Sequence, residues 1–145
     1  MDQIRSWLYI GNYQETRDVT LLQSNGISAI LQLAERVDHQ GIDSYYLAVQ
    51  DGKAIPLRHL EQGITYILAQ QEQGHTVLVA CGLGISRATT FAIAALKELE
   101  DKPLLELYRD IKRCRPAAMP MPALWQTLCQ YYHESVPWAE LLRKI

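Results

Sequence analysis

Cys81 and Arg87 bracket the segment Cys81-Gly82-Leu83-Gly84-Ile85-Ser86-Arg87, with five residues between them. Thr76-Val77-Leu78-Val79-Ala80 before it reads as a strand, and a helix is expected from about Ala88 to Leu99. A short loop that curls from a strand into a helix turns successive backbone N–H groups inward and forms an anion-binding nest. The helix N-terminus adds unsatisfied N–H donors and the positive end of its dipole. Gly82 and Gly84 permit backbone angles and close approaches that a side chain would oppose. Arg87 can fork two donors onto two phosphate oxygens. The same positive field favours the thiolate of Cys81, whose ordinary thiol pKa is ~8.5. One loop thus offers an oxyanion cradle, Gly82, Leu83, Gly84, Ile85, Ser86 and Arg87, and a nucleophile beneath it. A buried cysteine at a strand end and a surface arginine would give the same letters, but an apolar strand before and an alanine-rich helix after favour the phosphate site.

The pattern C-x-x-G-x-S-R resembles the signature loop of the cysteine-dependent protein phosphatases, above all the small dual-specificity phosphatases. The likeness runs from Trp7-Leu8-Tyr9-Ile10-Gly11, similar to that family's opening W-L-Y-L-G, to Arg115-Pro116 and the helix after it. In that family a general acid lies on a loop after a strand, about thirty residues before the cysteine. Asp51 occupies that place, although Asp before Gly is also an ordinary turn residue. Asp43 and Asp38 are weaker candidates because they precede the strand. The resemblance implies in-line attack by Cys81 on phosphorus, with Asp51 protonating the leaving oxygen and later activating water. The loop amides and Arg87 would stabilise the equatorial oxygens. No metal or organic cofactor is implied.

Three positions depart from the family pattern. Ala80 stands where His is usual, Ala88 where Ser or Thr is usual, and Met121 where Asn is usual. The family hydroxyl helps the thiolate leave, and the Asn helps brace the loop. A less activated Cys81 and slow breakdown of the phosphoenzyme are expected. Ser86, Thr89 and Thr90 are the hydroxyls that could substitute.

The 145-residue chain is expected to form one catalytic domain over residues 1–145. Its net charge of −2 gives no long-range attraction to nucleic acid or membranes. No apolar run reaches membrane-spanning length, and the first residues lack a signal core. Three cysteines without disulfide-like spacing suit a reducing, cytoplasmic setting. Cys114 and Cys129 read as packing residues. His39, His59, His75 and His133 show no metal-ligand spacing. Lys112, Arg113 and Arg115 read as cations favoured at a helix C-terminus, with a substrate-steering rim as the rival reading.

Strands are expected at Trp7–Ile10, as a short edge strand, at Ile27–Leu33 and at Tyr45–Val49, in addition to Thr76–Ala80. A polar loop is expected from Ala34 to Asp43. Thr16 or Asp18 could cap a short helix that ends at Asn25-Gly26. A helix opens at Pro56 and closes at Gly74, another runs from Pro103 to Arg115, and a third runs from about Pro122 to His133. A last turn or two spans Trp138–Leu142. This alternation predicts an α/β fold of the protein-tyrosine-phosphatase kind, with a mostly parallel central sheet of four to five strands and helices on both faces. Ligands in such sheets bind beyond the carboxyl ends of the strands, where Cys81 falls.

Phosphoinositide phosphatases of the superfamily that this chain resembles carry lysines among the inner loop residues; the five here carry no basic side chain, so the resemblance disfavours a phosphoinositide substrate. The expected substrate is a phosphorylated protein or small phosphomonoester: phosphotyrosine first, with phosphoserine and phosphothreonine also admitted by a shallow site. The oligomeric state is left open. Two other readings also stay open: a phosphate-binding pseudophosphatase that lacks turnover, and a rhodanese-like sulfurtransferase using Cys81 in an anion loop.

Overall fold

The structure is a computed structural model and describes residues 1–143. Five strands form one sheet in the order β1-β2-β5-β3-β4. They are β1 (Asp2–Arg5), β2 (Leu8–Asn12), β3 (Ala29–Gln32), β4 (Asp43–Tyr46) and β5 (Val77–Cys81). Only β1 runs antiparallel to its neighbour; β2, β5, β3 and β4 pair in parallel. The helices are α1 (Tyr13–Thr16), α2 (Val19–Ser24), α3 (Leu57–Glu72), α4 (Arg87–Glu100), α5 (Leu104–Cys114) and α6 (Pro122–Tyr132), followed by a 3-10 turn at Trp138–Leu142. Among the described residues, no helix is long and apolar enough to cross a membrane.

β5 lies at the centre, and all five of its residues are buried. Its side chains alternate between faces, as the two-residue period of a strand requires. Val77, Val79 and Cys81 join the larger core with α3, α4, α5 and α6, whereas Leu78 and Ala80 face Leu22 of α2 and Ile27. This alternation sets Cys81 on the side from which α4 departs. Helix α4 is buried without interruption from Ala88 to Leu96. Its Phe91 lies so close to α3 that a Cβ on Gly63 would fall 2.3 Å from the ring. Tight crossing of this kind holds the helix start still beneath the loop.

The sheet order revises the expectation for Trp7–Ile10. Strand β2 is internal, and the edge is β1, which sequence reading passed over. Of β1 only Ile4 is buried, so the polar residues around it mask the strand period. The expected strand Tyr45–Val49 is shifted: the ladder spans Asp43–Tyr46. Leu47 and Val49 are buried just beyond it, and their amides still bond the carbonyls of Gln32 and Leu33 at 2.9 and 3.0 Å. Apolarity there reports burial, while the ladder itself uses the polar residues of an edge strand. Asp18 caps α2 through its carboxylate on the Leu21 amide at 3.0 Å, and Asn12 with Glu15 forms a capping box on α1. Thr16 instead ends α1.

Arg5 fastens β1 to the helical layer. Its guanidinium donates to both carboxylate oxygens of Glu100 at 2.9 and 3.0 Å and to Asp110 at 3.1 Å. Bonding from Arg5 holds the Glu100 carboxyl below the usual range. A lowered carboxyl pKa stabilises the fold above the unfolded value, and that stability is lost as pH falls through the folded one. Glu100→Gln should therefore lower unfolding stability at neutral pH by about 1–2 kcal/mol, the scale of hydrogen bonds to charged groups. In urea titrations the difference from wild type should shrink as pH drops below about 4.

Candidate active site

The segment from Cys81 to Arg87 forms a loop between the carboxyl end of β5 and the start of α4. Its carbonyls are claimed from outside, one after another. Gly82 O accepts from the Tyr13 amide at 3.4 Å, and Ile85 O accepts from the Met119 amide at 3.0 Å. Leu83 O and Gly84 O accept from the Arg115 guanidinium at 3.4 and 2.7 Å. Ser86 O accepts from the amide and hydroxyl of Thr90 at 3.0 and 2.8 Å. In a trans peptide the C=O of one residue and the N–H of the next point in opposite directions. Carbonyls drawn outward therefore turn the following N–H groups, from Leu83 to Arg87, to the inner side. The result is a concave set of donors continuous with the helix N-terminus.

Cys81 is nearly fully buried, and its Sγ accepts from the Ala88 amide at 3.4 Å. Of the hydroxyls named as substitutes, Ser86 accepts from the Met121 amide at 2.8 Å, Thr90 is committed to Ser86 O, and Thr89 is buried without a partner. In the described hydrogen bonds the donor to sulfur is thus backbone, not hydroxyl. The bond to Ser86 also shows how the chain manages without Asn at position 121: the Met121 main chain ties that segment to the loop.

Arg87 begins α4. Its Nη1 donates to Val49 O at 3.0 Å, and its buried Nε has no hydrogen-bond partner. Asp51 Oδ1 lies 3.8 Å from that Nε, and the Asp51 side chain is more than half exposed. The structure therefore brings Cys81, Arg87 and Asp51 to one place, with the Asp51 loop tied to Arg87 through Val49. The Met121 side chain is near enough to Gly52 that a Cβ there would meet its Cε at 3.3 Å. Asp43 and Asp38 are elsewhere: Asp43 accepts from Tyr66 at 2.6 Å and Asp38 pairs with Arg36 at 3.0 Å. Among the described residues no group of three His, Cys, Asp or Glu is placed to hold a metal ion.

The basic cluster divides. Arg113 pairs with Asp110 at 2.6 Å, and Lys112 reaches the Tyr108 hydroxyl at 3.3 Å, as residues of the helix surface. Arg115, read from sequence as another helix-terminal cation, instead turns to the loop. The available signal was Pro116, because a residue before proline favours extended backbone, and Arg115 has φ −137° and ψ 90°. Tyr13 and Met119 also hold the loop, but main-chain donors carry no residue-type signal.

A family model for the catalytic domain of dual specificity phosphatases matches residues 8–134, and the chain belongs to this family. Dual specificity protein phosphatase 15 of Mus musculus is 31% identical over 134 residues, covering 90% of this chain and 57% of that protein. The chain thus spans little more than half the length of that relative. Dual specificity protein phosphatase 22 of Mus musculus is 28% identical, covering 99% of this chain and 80% of that protein. The crystal structure of DUSP15 superposes with a TM-score of 0.83 at 27% identity, over 89% of this chain and 85% of that one.

Gly84 is the tightest point of the loop. Its φ is +68°, and a Cβ would lie 2.6 Å from Gly11 O and 2.7 Å from Arg115 Nη2. Gly26 has the same φ, with nothing within 4 Å of the added atom. Gly26→Ala should cost only the backbone penalty of about 1–2 kcal/mol. Gly84→Ala should cost more than about 2 kcal/mol, since displacement of β2 or the loop is added. Denaturant titration of the two variants compares them directly.

Proposed function

We propose that this chain is a cysteine-dependent phosphatase that hydrolyses phosphomonoesters through a cysteinyl-phosphate. The observation that carries this reading is the convergence on one loop of the buried Cys81, inward-turned amides, the Nε of Arg87 that has no hydrogen-bond partner and the exposed carboxylate of Asp51 beside it. Residues 1–145 would act as one catalytic domain.

The dianion enters the cradle with its non-bridging oxygens on the loop amides and the Arg87 fork. Cys81 attacks phosphorus in line with the leaving oxygen, which takes a proton from Asp51 as the P–O bond breaks. Water then attacks the cysteinyl-phosphate, Asp51 takes its proton, and the thiolate departs. With alanine at position 88, the Ala88 amide is the hydrogen-bond donor that receives the returning negative charge on sulfur. The apolar residues Leu83 and Ile85 in the loop favour a phosphorylated protein side chain, phosphotyrosine foremost and phosphoserine or phosphothreonine in addition, over a polyanionic lipid headgroup. Family membership favours phosphoryl transfer over the sulfurtransferase reading.

An aryl phosphate assayed with EDTA present should be turned over by wild type. Cys81→Ser should lose at least about three orders of magnitude, the scale expected when a nucleophile is removed. Asp51→Asn should lose about 10²–10⁴-fold, and less for substrates whose leaving group needs no proton. If wild type is inert but binds orthovanadate, the chain is a phosphate-recognition module instead.

Pre-steady-state kinetics with substrate in excess examines the second step. A pre-steady-state burst of the released phenol, approaching one per active site, is expected because no side-chain hydroxyl among the described hydrogen bonds supports thiolate departure. Linear release from the first turnover would show that phosphoenzyme breakdown is not limiting.

A further inference from the structure

We propose that Arg115 is a positioning residue for the phosphate-binding loop and that Asp2 sets its orientation, so that the edge strand β1 takes part in oxyanion binding. The proposal rests on the reading of the Cys81 loop as the phosphate site.

Arg115 is unlike the cations around it. Its side chain is only 11% exposed, and its donors are divided among three elements. Nε donates to Gly84 O at 2.7 Å and Nη2 to Leu83 O at 3.4 Å. Nη1 donates to Asp2 Oδ2 at 2.8 Å and lies 3.5 Å from Ile10 O on β2. The backbone that carries it is fixed at the end of α5, where the Arg115 amide bonds Ile111 O at 2.8 Å. Asp2 pairs with Ile10 in the β1–β2 ladder. The guanidinium is therefore gripped from behind by β1 and presents its remaining donors to two consecutive loop carbonyls.

Two effects on the cradle follow. The first is orientation. The peptides joining Leu83 to Gly84 and Gly84 to Ile85 are held with oxygen outward, so their N–H groups face the anion. Without Arg115 either peptide could rotate and turn a carbonyl oxygen toward the dianion. The second is polarisation. A charged donor on a carbonyl oxygen strengthens the N–H of the same peptide as a donor, as in any hydrogen-bonded chain. Arg115 thus acts on phosphate through the amides of Gly84 and Ile85 without touching it. A lysine, a single point donor, could not span Gly84, Leu83 and Asp2 together.

The test compares wild type, Arg115→Met, Arg115→Lys, Asp2→Ala and the Arg115→Met/Asp2→Ala double variant, each confirmed folded by thermal unfolding. Orthovanadate affinity should weaken on the order of tenfold or more in Arg115→Met, the cost of losing charge-assisted bonds that orient the donors. Arg115→Lys should stay nearer to Arg115→Met than to wild type. Alkylation of Cys81 by neutral iodoacetamide, at a pH high enough to ionise the thiol in every variant, should change far less, since it then uses no oxyanion contact. Asp2→Ala should show the same pattern at a few-fold, and the double variant should be no weaker than Arg115→Met alone, because Asp2 works through Arg115. Wild-type vanadate affinity in folded Arg115→Met, or equal loss of vanadate binding and alkylation, overturns the positioning role. Additive losses in the double variant overturn the part assigned to Asp2. Amide hydrogen exchange separates this proposal from the phosphatase reading. If wild type neither binds vanadate nor turns over an aryl phosphate, the phosphatase reading fails, yet faster exchange confined to Gly84–Arg87 in Arg115→Met still supports the brace. Unchanged exchange there refutes it.

Discussion

A run of backbone carbonyls all turned out of one loop is the constraint on which this structure rests. Peptide groups have no preference for presenting only their N–H ends to one side of a loop; each oxygen must be bonded elsewhere, or the peptide is free to rotate. Here the required donors come from four separate places: α1, the segment after α5, the Arg115 side chain and Thr90, the fourth residue of α4. None lies next to the loop's opening residues in sequence. The packing that brings them together is thus inseparable from the concave set of N–H donors that the loop presents. It also explains why the loop runs so near Gly11 that a side chain at Gly84 would collide with it.

The sheet and its helices supply the rigidity this demands. Strand β5 is central and buried on both faces, and α4 is buried along most of its length. The junction between them cannot drift without disturbing the main core. The lighter face, where α2 covers Leu78 and Ala80, places α1 beside the loop, so that its first amide reaches Gly82 O. On the other side of the loop, Val49 O accepts from Arg87, which couples the position of Asp51 to that arginine.

Departures from the family pattern acquire a physical reading in this setting. Without Asn at position 121, the main-chain amide of Met121 bonds Ser86 and ties the same two segments. Without a hydroxyl at position 88, the amide of Ala88 remains on the sulfur. In both places the donor is backbone. A main-chain donor fixed at the start of a helix holds ground-state geometry, but it cannot rotate to follow the sulfur as a hydroxyl donor can.

Sequence alone determined the parts whose signal is local. Cysteine, two glycines and arginine at fixed spacing, between an apolar strand and a helix, disclosed the loop. The parallel α/β plan is written in the alternation of apolar runs, whereas Asp51 stands out only through the family resemblance taken together with its place on a loop after a strand. These features are legible because strand period, helix period and loop chemistry are each written within a few neighbouring residues. Only tertiary structure decided that the edge belongs to β1 and not to β2, because a short polar strand is defined by its partner. It also decided that Arg115 serves the loop while Lys112 and Arg113 stay on the helix surface. Those choices rest on contacts between residues a hundred or so positions apart, such as Arg115 with Asp2 and Arg5 with Glu100, at separations of 113 and 95 residues. No periodicity records them, since their energy arises only once the chain has folded.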